Sequence, residues 1–284
     1  MTHLAPLELC CDSAWGEDLP LPPDLQTLYG RIGFPLHSGR PYVISNFVST
    51  IDGVVSLDAP GKAIGDVISG SNEHDNAVMG LLRSIAEVVI VGAGTLRASP
   101  RHIWTAAHVY PALAHAYDDL RRSISETSNP LNVIVTAGAD IDRSMNVFTS
   151  GEVQVLIVTT QAGETKLAQM GMPSWVQVIA AGNQNHLSAG EILGAIGKVR
   201  PSGGVYLIEG GPHLMGDMFA EERIDELFLT LAPQVAGRSA FHERKGIVAG
   251  RMFAPELLRQ ATLISAKRAM SHLFLRYAFQ SRQE

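Results

Sequence analysis

From Pro41 onward, short apolar runs rich in valine and isoleucine alternate with segments whose apolar residues recur at helical spacing. No other feature restricts the fold of this chain as strongly. Tyr42 to Val48 reads as a strand. Asn72 to Ala86 reads as a helix capped by Asn72, with Val78, Met79, Leu82 and Ile85 on one face. Strand Val88 to Val91, a helix near Leu113 to Glu126, strands Val133 to Thr136 and Val153 to Thr159, and a helix near Glu164 to Met170 continue the pattern. Strand Val176 to Ala180, helix Ala189 to Val199, strand Val205 to Ile208 and helix His213 to Glu222 complete it. Strands joined through helices pair in parallel, with helices on both faces of the sheet. The tail changes character: Glu226 to Leu231, Ala261 to Lys267 and His272 to Phe279 read as strands, the last two joined by a hairpin turning near Arg268 to Ser271. The expected fold class is α/β, a mostly parallel central sheet ending in an antiparallel hairpin. Residues 1–39, rich in proline with one short helix from Pro23 to about Ile32, read as an N-terminal arm, and residues 40–284 as one domain.

At 284 residues with 46% hydrophobic content, the chain can bury a full core. Its net charge of −6 offers no basic stripe for nucleic acid and no polybasic membrane patch, so the expected partners are a small-molecule substrate and a second copy of the chain. No apolar run approaches the roughly 18 residues of a spanning helix. Cys10 and Cys11 are adjacent, which gives neither a disulfide framework nor zinc-site spacing, and points to the cytoplasm. The ten histidines include no H-E-x-x-H pair, so no metal is expected.

Two runs carry the chemistry. In Ile208-Glu209-Gly210-Gly211-Pro212-His213-Leu214 a strand breaks at two glycines and proline opens a helix. Bare glycines let a phosphate approach the backbone, and the N–H groups of a helix start favour an anion. Glu209 cannot serve a phosphate and would face a second ligand. In Val88-Val89-Ile90-Val91-Gly92-Ala93-Gly94-Thr95 another strand ends in glycines, followed by a hydroxyl and then Arg97. Two glycine-rich turns at strand ends suit a dinucleotide cleft. Arg97 stands where a Rossmann fingerprint needs its third glycine, so the nucleotide site is of another architecture. Asp52-Gly53 is also the signature of a tight turn, Arg83 near a helix end also complements the helix dipole, and Arg97 suits either a 2′-phosphate or the open surface.

In combination, the stretch Tyr42 to Gly53, Ile68-Ser69-Gly70, Leu82-Arg83, Val91 to Arg97, Glu209-Gly210-Gly211-Pro212 and Asp225-Glu226-Leu227 resembles the reductase domain of bacterial riboflavin biosynthesis, of the dihydrofolate-reductase-like superfamily. The resemblance covers roughly residues 40–280. It implies a dihydrofolate-reductase-like fold and an NADPH-dependent homodimer that reduces the ribosyl group of a pyrimidine ribosylamine phosphate. Carried over by position, Gly92, Gly94 and Thr95 line the cofactor, and Gly210, Gly211, Pro212, His213, Leu214, Met215 and Gly216 hold its pyrophosphate. Arg97 and Thr136 fall to its adenosine side. Glu209 and Asp52 are the implied catalytic acids, and Asn46 and Arg83 face the substrate.

Departures from the family pattern concentrate on the substrate side. Asn46 stands where a lysine is usual, and His213 where a threonine is usual. Ala98 to Trp104 replaces an acidic pair and a later arginine, leaving Arg101 as a displaced substitute near the substrate phosphate. The zinc-deaminase signature that accompanies the reductase in the bifunctional enzyme is absent, so the expected protein is a stand-alone reductase. Two alternatives stay open: a reductase of the same superfamily with another substrate, such as a dihydropterin, and a nucleotide-binding protein without turnover.

Overall fold

The structure, a computed structural model, describes residues 4–37, 39–57, 64–182, 185–201, 203–239 and 244–279. Its strands are β1 (Glu8–Asp12), β2 (Glu17–Asp18), β3 (Gly33–Phe34), β4 (Tyr42–Thr50), β5 (Val88–Gly92), β6 (Leu131–Val135), β7 (Val155–Thr159), β8 (Val176–Ala180), β9 (Val205–Ile208), β10 (Glu226–Ala232), β11 (Ala261–Ala269) and β12 (His272–Phe279). The helices are α1 (Pro23–Tyr29), α2 (Ile64–Ser69), α3 (Glu73–Ile85), α4 (Ala93–Ala98), α5 (Ala106–Val109), α6 (Ala114–Ile124), α7 (Asn146–Thr149), α8 (Gln161–Met170), α9 (Ala189–Val199) and α10 (Pro212–Ala220).

Ten strands form one sheet in the order β1-β11-β12-β10-β4-β9-β5-β6-β7-β8, and β2 pairs with β3 apart from it. From β10 to β8 every neighbouring pair is parallel, whereas β12, β11 and β1 add antiparallel strands at one edge. The mostly parallel sheet with a closing hairpin is therefore the architecture expected from the alternation. Parallel strands covered on both faces need apolar side chains throughout, and Val88 to Val91 are each at most 1% exposed. Burying each such side chain contributes about 1.5–3 kcal/mol.

One core lies between the sheet and α1, α3, α6 and α8, through Leu25, Leu81, Leu82, Tyr117, Leu120 and Leu167. The other lies beneath α9 and α10, through Ile192, Ile196, Leu214, Met215 and Met218. Caps fix the helix starts. Asn72 accepts the Asp75 N–H at 3.0 Å as the sequence predicts, and Ser188 and Glu191 form a capping box before α9. The first helix is shorter than expected because Gly30, at φ +80°, ends it. Short α2, α4, α5 and α7 and the edge strand β1 carry too few periodic residues to be read from sequence.

Candidate functional site

The two glycine-rich turns come from neighbouring strands, since β5 and β9 pair directly. Their loops touch: the Gly92 N–H donates to the Gly210 carbonyl at 2.9 Å. Gly210, at φ +114°, has no room for a side chain, because a Cβ there would lie 2.7 Å from Thr95 Oγ1. Its peptide to Gly211 is cis. A helix starts after each turn, α4 capped by Gly92 and α10 by Gly211, with Pro212 in the first turn of α10. Around Gly94, by contrast, a Cβ would meet nothing within 4 Å. Bare backbone, two adjacent helix starts and free space are what an anionic ligand needs.

These turns border a cleft of about 770 Å³, within the range of small-molecule and cofactor sites. One half is formed by Gly92, Gly94, Thr95, Arg97 and Gly210 to Leu214, together with Val135 and Ala137 after β6. The other is formed by Asn46, Val48, Ser56, Asp75, Met79, Glu209 and Lys245. Alternation along β4 puts Tyr42, Ile44, Asn46 and Val48 on one face, where Tyr42 and Ile44 join the core of α3 and Asn46 reaches the cleft. Lys245 is brought there by its carbonyl, which accepts the Val55 N–H at 2.9 Å.

At the junction of the halves sits a buried ion pair. Arg83 donates from Nε to Glu209 Oε1 at 2.9 Å and from Nη2 to Oε2 at 2.6 Å, with side chains 2% and 6% exposed. Its remaining nitrogen donates to the Thr105 carbonyl at 3.1 Å. A bidentate guanidinium holds a buried carboxylate in one orientation, and removing either partner strands a charge. His102 lies edge-on to Trp104 and His108, and burial helped by the Arg83 charge pushes its imidazole down to about 2.

Asp75, on the first turn of α3, is 3% exposed and lines the cleft. Burial pushes its carboxyl up to about 6; a hydrogen bond from Thr230 opposes this, and the charges of Asp66 and Glu209 add to it. Nothing in the sequence sets it apart from a capping-turn acid, for the signal is its burial, which only the packed fold supplies.

Several expected site residues lie elsewhere. Asp52 does not line the cleft. It sits in a turn with Gly53 at φ +79°, and its carboxylate accepts the Thr50 hydroxyl and the N–H groups of Ala236 and Gly237, which hold it at about 2. The turn reading of Asp-Gly is the one observed. Arg101 is exposed on a loop away from the cleft lining, because the Asn146 side chain fixes its carbonyl. Thr136 is buried, its N–H given to the Val158 carbonyl, and its neighbours Val135 and Ala137 line the cleft instead. Met215 is fully buried in the core, and Gly216 lets α10 approach Ala249, whose carbonyl a Cβ would meet at 2.5 Å. The helix turns these two positions away from the cleft. Arg83 stands behind the cleft lining and touches it through Glu209 and the Met79 sulfur, to which Nη2 donates at 3.2 Å. Arg97 lines the cleft and donates to the Asp140 carbonyl at 2.9 Å. Among the described residues no group of three His, Cys, Asp or Glu side chains is placed to hold a metal, and no helix is long and apolar enough to cross a membrane.

The fold and site together are a mostly parallel α/β sheet whose two glycine turns meet over a buried ion pair, without the Rossmann glycine fingerprint. Residues 41–259 match the RibD C-terminal domain, and the chain belongs to that family. Among solved structures, a pyrimidine reductase-like protein from Corynebacterium diphtheriae is 20% identical, with TM-score 0.67 over 90% of this chain and 98% of that one. RibD of Acinetobacter baumannii is 20% identical, with TM-score 0.58 over 86% of this chain and 59% of that one. The Thermotoga maritima diaminohydroxyphosphoribosylaminopyrimidine deaminase/5-amino-6-(5-phosphoribosylamino)uracil reductase is 18% identical, with TM-score 0.59 over 85% and 57%. The chain thus spans little more than half the length of these two longer proteins. At such identities the likeness is one of fold. Comparison with curated proteins finds no match.

Proposed function

We propose that this protein is an NADPH-dependent reductase acting on a pyrimidine ribosylamine phosphate of riboflavin formation. The observation that carries this reading is the meeting of two glycine turns and two helix starts with a buried carboxylate at one cleft. Backbone N–H groups at Gly94, Thr95, Gly211, His213 and Leu214 are offered to the pyrophosphate, and Arg97 to the 2′-phosphate. When bound, the reduced nicotinamide supplies a hydride to the carbon being reduced. Asn46 and Glu209 contact the pyrimidine side, with Arg83 holding Glu209 in place. Lys245 takes the substrate phosphate in place of Arg101.

The amide of Asn46 and the remote position of Arg101 leave the substrate half less cationic than the family pattern, which favours, as a second reading, a neutral heterocycle such as a dihydropterin. We further assign a homodimer to the open face of the hairpin. There Leu229 opposes Leu275 and Leu231 opposes Leu273, all half-buried, and Leu263 is 41% exposed.

Titration with NADPH and NADH, read by energy transfer from Trp15, Trp104 or Trp175 to the nicotinamide, tests the cofactor assignment. Micromolar binding that favours NADPH is expected, followed by NADPH oxidation with 5-amino-6-(5-phosphoribosylamino)uracil. Binding without oxidation of any reducible pyrimidine or pterin would leave a nucleotide-binding protein. No binding of either nucleotide would overturn both reductase readings.

A further inference from the structure

We propose that His272 is a positioning residue of the cleft: it holds the Asn72 amide in the one orientation that caps α3, and through α3 it sets the wall against which the substrate lies. The reaction it serves is the one proposed above, whereas the positioning rests on geometry alone. Asp75, Met79 and Arg83 follow one another at four-residue intervals along one face of α3. Asp75 and Met79 line the cleft, and Arg83 grips Glu209, so this face carries much of the substrate half. A small rotation or fraying at the start of α3 therefore shifts several site groups together. Such a shift is costly, because hydride transfer depends on reacting atoms held in near-attack geometry.

The start of α3 is fixed by a chain of hydrogen bonds that begins in the C-terminal hairpin. Asn72 Oδ1 accepts the Asp75 N–H, which leaves the amide nitrogen of Asn72 as a donor pointing the other way. That nitrogen lies 3.1 Å from Nδ1 of His272, the first residue of β12. Nδ1 must then be bare, so the ring proton sits on Nε2, which donates to the Ser69 carbonyl at 2.9 Å. Asn72, His272 and Ser69 are all buried, so solvent is a poor substitute for a lost partner. If the amide turned over, its nitrogen would face the Asp75 N–H and the cap would be lost. The ring thus fixes the orientation of Asn72 and ties it to Ile68-Ser69-Gly70, a run to which the cleft itself gives no role. Gly65, on the same short helix α2, lines the cleft. His272 lies beyond residues 41–259 that match the family, so the hairpin outside that span supports the wall of the cleft.

The test compares the full chain with His272→Gln, His272→Leu and Asn72→Asp. Glutamine offers an oxygen to Asn72 and an N–H to Ser69, and leucine offers neither. Ring-nitrogen NMR, with His272 identified by its loss in His272→Gln, is expected to show Nδ1 bare and Nε2 protonated in the wild type. In Asn72→Asp, which still caps α3 but has no side-chain N–H to give, Nδ1 is expected to carry a proton. Amide exchange at Asp75 is expected to be about 10-fold faster in His272→Leu and near the wild-type rate in His272→Gln. With 5-amino-6-(5-phosphoribosylamino)uracil, kcat should fall about 10- to 100-fold in His272→Leu at unchanged NADPH affinity, and glutamine should restore most of it. A protonated Nδ1 in the wild type, an unchanged ring in Asn72→Asp, or leucine and glutamine variants that match each other in exchange or in kcat would overturn the proposal. Should His272→Leu fail to fold, the ring signature in Asn72→Asp and the exchange and kcat of His272→Gln decide alone. If the wild type binds no NADPH, or leaves this pyrimidine unreduced, the reductase reading fails separately. The ring and exchange measurements, which need no substrate, then decide.

Discussion

Arg83 and Glu209 show how one pair can serve stability and site together. Their bidentate contact is nearly dry, so breaking it from one side costs about 3–5 kcal/mol. Glu209→Gln keeps the shape and loses the charge. Turnover is expected to fall far more than NADPH affinity, and unchanged turnover in steady-state kinetics would remove Glu209 from the substrate side. Asp75 pulls the other way. Its carboxyl sits at about 6 when folded against 3.8 as the ordinary value, so its stabilising contribution is complete below pH 3.8 and is lost as pH rises through about 6. Asp75→Asn should therefore be more stable than the wild type at neutral pH, by about 2–3 kcal/mol, with the difference vanishing toward pH 4. Denaturant melts at the two pH values measure this, and equal stability at neutral pH would contradict the raised titration of the buried carboxyl. Glu209 could be singled out in the sequence because it follows a strand and precedes two glycines. Asp75 could not, because three acids or amides in a helix's first turn look alike until the fold buries one of them.

The two glycine turns divide their labour by position. Gly210 is required by the chain itself, since its φ of +114° and a 2.7 Å approach to Thr95 exclude any side chain. Gly211, with φ −102° and Thr95 Oγ1 3.5 Å from the Cβ position, accepts a Cβ at ordinary contact distance. Gly210→Ala is thus expected to lower stability by about 1–3 kcal/mol, whereas Gly211→Val should fold normally and lose NADPH binding. Calorimetry and the nucleotide titration separate the two, and normal binding by Gly211→Val would mean the pyrophosphate lies elsewhere. This distinction was not legible in the sequence, where both residues belong to one motif. The same limit explains Met215 and Gly216: the motif marks where a helix begins, and only the helix's rotation decides which of its residues look back at the ligand. Arg101 and Thr136 fell outside the cleft for a related reason, because the bends after α4 and β6 follow tertiary contacts that no local pattern encodes.

Across the whole molecule, the alternation of strand and helix fixed fold class and sheet direction, because two-sided burial demands continuous apolar runs. Strand order was not legible, for nothing local says that β9 inserts between β4 and β5. That insertion creates the site by setting two distant glycine turns side by side. Toward the antiparallel edge, the paired leucines of β10 and β12 are only half-buried. Leu275→Glu is expected to convert the proposed homodimer to a monomer in sedimentation velocity. A dimer that persists would place the interface elsewhere. The outermost strand of this edge has a further consequence. β1 pairs with β11, and Glu8 meets Arg268 across 260 positions of sequence. During synthesis β1 therefore has no sheet partner until the chain about 260 positions further on has been made, so this edge of the sheet is assembled after the parallel strands between.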